Sequence, residues 1–136
     1  MNARQFNALT LRGTDCKGAL ERLCGNESLY MTCLSEFLED PTLKEIDSAI
    51  DHERWDDAFT AVHALKGLAG NLGFIPLMHA TGQVVVLIRG GRIGELNDAL
   101  NELDSCYRDI TDGIKEVIKQ TSDETDNIEF KREGNT

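Results

Sequence analysis

Between positions 93 and 117 the apolar residues Ile93, Leu96, Leu100, Leu103, Tyr107, Ile110, Ile114 and Val117 recur at alternating intervals of three and four. That spacing puts all of them on one side of an α-helix, whereas a strand would divide them between two faces. A helix over about 93–119 with a single apolar stripe has to be covered by other helices, and the rest of the chain can supply them.

Thr14-Asp15 can cap a short helix running to about residue 24, with Leu20 and Leu23 facing inward. Over 27–39, Leu29, Tyr30, Cys33, Leu34, Phe37 and Leu38 again follow helical spacing, and Asp40-Pro41 ends the run. Thr42 followed by Glu45 resembles a capping box for a helix over about 42–51 that carries Leu43, Ile46 and Ile50 on one side. The next helix starts around Arg54 and ends at Leu72, with Gly73 as a left-handed C-terminal cap. Pro76 suits the first turn of the following helix, which stops at Arg89 before Gly90-Gly91. Its segment Val84-Val85-Val86-Leu87-Ile88 favours a strand by propensity, but a lone strand here has nothing to pair with. The expected fold is all-α: an antiparallel up-and-down four-helix bundle with short extra N-terminal helices. The domain spans 13–120, preceded by a loose lead-in over 1–12 and followed by a polar, disordered tail over 121–136.

The 136 residues suit one domain, and their net charge of -10 argues against nucleic acid or an anionic membrane as partner. Cys16, Cys24, Cys33 and Cys106 form no C-x-x-C pair, so no zinc or redox motif is signalled. With no signal peptide in the sequence, reduced thiols in the cytoplasm are the expectation. The run 84–88 is far too short to span a bilayer, and a monomer without direct membrane contact is expected.

Chemistry concentrates in His63-Ala64-Leu65-Lys66-Gly67-Leu68-Ala69-Gly70-Asn71-Leu72-Gly73-Phe74. Each helical glycine costs about 1 kcal/mol relative to alanine, so three in one stretch call for a reason. Ala58, Ala61, Leu65, Leu68, Ala69 and Leu72 fall on one broad arc, with Val62 at its edge, and His63 points nearly opposite. Around His63 lie Phe59 at i−4, Lys66 at i+3, Gly67 at i+4 and Gly70 at i+7. The imidazole is therefore expected to face solvent among residues that leave room for another protein's active-site rim.

A neutral imidazole, with an unperturbed pKa of about 6.5, is a nucleophile near pH 7. It can take a phosphoryl group as phosphohistidine, with Lys66 offsetting charge on the phosphoryl oxygens. No G-x-x-x-x-G-K-[ST] loop is present, so the expectation is a phosphoryl carrier and not a kinase or other enzyme. A lone surface histidine is usually without function; it is the shared face of His63, Lys66, Gly67 and Gly70 that argues otherwise. His52 and His79 show no such setting, and no i,i+4 histidine pair suggests a metal site.

His63-x-Leu65-Lys66-Gly67-x-x-Gly70-x-x-Gly73 resembles the signature of histidine-containing phosphotransfer (HPt) domains, the relay modules of multistep phosphorelays. Gly13-Thr14-Asp15, Leu20-Glu21-Arg22-Leu23-x-Gly25-Asn26, Leu29-Tyr30, Phe37-Leu38 and Arg89-Gly90-Gly91 extend the likeness over about 13–119. The resemblance implies that His63 accepts phosphate from an aspartate of one receiver domain, in a response regulator or hybrid sensor kinase, and passes it to another. It further implies stabilisation by Lys66, assistance from Arg89, and receiver docking by Phe59, Gly67, Gly70 and exposed residues of the 27–39 helix. Mg²⁺ in this family belongs to the receiver, so the resemblance implies no cofactor for this chain. One departure stands out. Many members place a Gln or Glu at the position of Val85, where it orients the imidazole, and Gln83 lies about 200° around the helix from it. That keeps a second reading open, a module that binds a receiver without efficient transfer.

Overall fold

The computed structural model describes residues 1–134, with side chains for residues 1–120. Its helices are α1 (Ala3–Thr10), α2 (Cys16–Arg22), α3 (Glu27–Phe37), α4 (Thr42–Asp51), α5 (Trp55–Leu72), α6 (Ile75–Arg89) and α7 (Leu96–Gly134), with a 3-10 turn over Ile93–Glu95. The tail expected over 121–136 lies outside the residues whose side chains are described.

The helices pack as a bundle: α5 lies between α4 and α6, α6 packs on α7, α1 covers part of α7, and α3 touches α5 and α7 more lightly. The stripe that predicted α7 is the one it buries, with Leu96, Leu103, Ile110, Ile114 and Val117 all in the core. Phe37 ties three elements together. It meets Phe74 edge-on at 5.0 Å between centroids and Tyr107 of α7 at 5.3 Å. The strand-prone Val84–Ile88 segment is helical, because Val84, Val85 and Ile88 find the core from one side of α6 while Val86 faces out.

Three expectations need correction. The lead-in is not loose: Asn2 and Gln5 form a reciprocal capping box, at 2.9 and 2.8 Å, that starts α1. Gln5 also donates to the Val117 carbonyl at 3.2 Å, and Leu9 is wholly buried against α7. Thr42 does not cap α4; Pro41 holds the cap position, and the Asp40 carboxylate accepts from the Thr42 N–H at 2.9 Å. On α5 the fully buried residues are Ala58, Val62, Leu65, Ala69 and Leu72, so Val62 at the edge of the arc is covered, whereas Ala61 and Leu68 are only half-buried. Ala61 and Ala64 border an open cleft beside α4, which shifts the covered side of α5 away from them.

The end of α5 is held from several directions. Arg22 donates to the carbonyls of Gly70 and Asn71 at 2.8 and 3.1 Å, and the buried Tyr30 hydroxyl donates to Leu72 O at 2.9 Å. Burial, and next the Cys16 thiol, push the Tyr30 phenol well above its ordinary range, so it remains a donor. Gly73 takes φ +82° and closes the helix, and Asp15 N–H donates to its carbonyl at 2.7 Å. Thr14 and Phe74 then pair in an antiparallel β-bridge. These contacts satisfy carbonyls that a helix end otherwise leaves without partners.

Candidate functional site

His63 sits at the midpoint of α5 on the side away from the buried line, and it is exposed. Lys66 and Gly67 are also exposed, while Phe59 and Gly70 are half-buried at the seam with neighbouring elements. The structure thus brings Phe59, His63, Lys66, Gly67 and Gly70 to one face, as the 3.6-residue period requires. Helix α6 adds Arg89 from its last turn.

The side chain of a helical residue leans toward the helix N-terminus, so the ring at 63 lies over the turn containing 59. Phe59 and His63 are stacked, with ring planes 4° apart and centroids separated by 6.1 Å. The Arg89 guanidinium lies 5.3 Å from the Phe59 ring centroid, within cation–π range. Among the described residues neither imidazole nitrogen of His63 has a hydrogen-bond partner, and neither Lys66 nor Arg89 is in an ion pair. The imidazole nitrogens are thus free to meet a group from outside the chain, with two cations outside any ion pair on or beside its face.

The glycines differ in what surrounds them. A Cβ on Gly67 would have nothing within 4 Å, so no packing contact demands glycine there. A Cβ on Gly70 would meet Met78 Sδ of α6 at 3.2 Å, so this glycine serves helix–helix approach as well as clearance. Gly82 is a residue that sequence reasoning passed over. The Lys66 stem lies over it, and a Cβ there would sit 3.7 Å from Lys66 Cε, an ordinary contact that does not demand glycine. Its signal was a lone glycine in the middle of an apolar helix.

Val85 is 6% exposed and turned into the core, so it offers the imidazole nothing. Gln83 lines a groove with Lys66, Met78, His79, Gly82 and Val86 and makes no hydrogen bond to His63. His79 thereby has a setting that its sequence neighbours did not show. His52 instead bonds the Ser48 carbonyl through Nδ1 at 2.8 Å, at the end of α4. Among the described residues no three His, Cys, Asp or Glu side chains gather for a metal ion, and no helix is long and apolar enough to cross a membrane. All four cysteines are free thiols.

A family model described as the Hpt domain matches residues 30–121, more than half of the chain. No curated protein and no solved structure matches it.

Proposed function

This chain belongs to the Hpt domain family, whose members act as histidine phosphotransfer carriers in phosphorelays, and on that premise we propose that His63 is the residue that carries the phosphoryl group. One observation supports this above the others: His63 is exposed, with no hydrogen-bond partner among the described residues, on a helix face that Gly67 leaves bare for no packing reason. An imidazole nitrogen attacks the phosphorus of a receiver's aspartyl phosphate. The N–P bond forms as the P–O bond to the aspartate breaks, and the electron pair returns to that carboxylate. The proton on the other ring nitrogen is free to leave to solvent. Transfer to a second receiver runs the same step in reverse.

Lys66 offsets charge on the phosphoryl oxygens during transfer, a role suited to a flexible, unpaired ammonium. Gly67 and Gly70 give the receiver access, and Mg²⁺ is supplied by the receiver. Incubating the full chain with a receiver domain charged by acetyl phosphate should place acid-labile phosphate on it, and His63→Gln should abolish that label. Labelling that survives the substitution would show the site to be elsewhere.

The absence of a polar group at Val85 favours one other reading, a receiver-binding module that relays poorly. Binding of the charged receiver without transfer, unchanged in His63→Ala, would establish that reading instead.

A further inference from the structure

The imidazole that has to present one nitrogen in line with a phosphorus atom is held by no hydrogen bond among the described residues. It is held by a ring. Phe59 lies parallel to His63, and Arg89 reaches across from α6 to the same phenyl ring. We infer that Phe59, gripped by Arg89, is a positioning residue that sets the His63 ring orientation, in place of a polar side chain on α6. This rests on His63 being the phosphoryl carrier.

The geometry separates this role from plain docking. Phe59 is one turn before His63, where a stacked aromatic restricts the imidazole's rotation about both side-chain torsions. Phe59 would itself be free to swing, being only half-buried, but its ring carries a guanidinium from a second helix. The three groups link α5 and α6 across the bundle surface, so the orientation is fixed relative to the scaffold and not merely to one helix. On this account Arg89 acts through Phe59, and its effect on transfer disappears when the phenyl ring is removed. The coupling is also chemically specific. It needs an aromatic face at 59 and a cation at 89, and tolerates Tyr for Phe and Lys for Arg better than any aliphatic or neutral replacement.

The test uses the full chain and an isolated receiver domain, chosen from a panel for its ability to label the wild-type protein after charging with acetyl phosphate. Phe59→Leu should slow transfer at saturating receiver by about tenfold, the size expected when a reacting group loses its preset orientation. The receiver's dissociation constant should move much less than the rate. Phe59→Tyr should recover most of the rate, and so should Arg89→Lys relative to Arg89→Gln. Adding Arg89→Gln to Phe59→Leu should cost nothing further. In parallel, the His63 ring-proton NMR shifts should move in Phe59→Leu and return in Phe59→Tyr.

An Arg89→Gln penalty of equal size with and without the phenyl ring would overturn the inference and put Arg89 directly on the phosphoryl group. A loss confined to the dissociation constant would also overturn it and make Phe59 a docking residue. If wild type and Phe59→Leu take label equally fast, positioning falls while the carrier reading stands. If no receiver labels the wild-type chain, the carrier reading falls and takes this inference with it.

Discussion

Gly67 and Gly73 lie on the same stretch of chain and are glycine for opposite reasons. At Gly73 the backbone requires it: φ is +82°, and a Cβ would run into the Asp15 carbonyl oxygen. Gly73→Ala should therefore cost at least about 2 kcal/mol, the left-handed penalty plus displacement of the Asp15 backbone, read by chemical denaturation. At Gly67 the fold requires nothing. Gly67→Leu should leave stability unchanged or raise it by up to about 1 kcal/mol, because helix propensity improves, while transfer from a charged receiver collapses. A large stability loss in Gly67→Leu would mean that the position serves packing after all. Both assignments were legible in the sequence, Gly73 from its place before Phe74-Ile75-Pro76 and Gly67 from its angle opposite the apolar arc. The mixed character of Gly70 was not, since Met78 comes from another helix and no periodicity within α5 reports it. The stacking of Phe59 on His63 was half legible: the i−4 spacing was on view, but Arg89 acquires its partner only when α6 folds back.

At the scale of the elements, periodicity located the helices to within a few residues but left their rotation open. Ala61 and Leu68 belong to the α5 arc by spacing and are only half-buried, because α6 and α4 together decide which side is covered. Helix α1 was missed although Asn2-x-x-Gln5 is a capping signal, since its few apolar residues gain meaning only against α7. The end of α5 depends on groups from other elements, and Tyr30→Phe tests that dependence. It strands the buried Leu72 carbonyl and should cost about 1–3 kcal/mol in denaturant unfolding, with little volume change to confuse the result. Between α4 and α7 the reverse holds. Partial burial, then the carboxylates of Asp104 and Asp51, raise the Asp47 carboxyl above its ordinary value of 3.8. A carboxyl raised in the folded state takes up its proton there first, so the strain it causes at neutral pH is relieved as pH falls through that raised value. Asp47→Asn should accordingly raise Tm at pH 7, and the advantage over wild type should vanish as pH falls to 3.8 and below. An equal gain at both pH values would mean that packing, not charge, separates the two proteins.

For the whole molecule, a helical bundle with a strongly negative net charge presents one face where, among the described residues, two cations are in no ion pair and a histidine has no hydrogen-bond partner. The Hpt match begins at Tyr30, so α1 and α2 lie outside it, yet Arg22 and Asp15 brace the far end of the helix that carries His63. The bundle braces that helix at its end and leaves His63 exposed on its outer face, which the proposed transfer to and from a receiver requires. The most direct test of this account is to locate the phosphoryl group. The full chain, labelled by a charged receiver and digested at neutral pH to preserve phosphohistidine, should carry the modification on the peptide containing His63, and tandem mass spectrometry should assign it to that residue. A modification on His52 or His79, or on any residue in the His63→Gln protein, would contradict it.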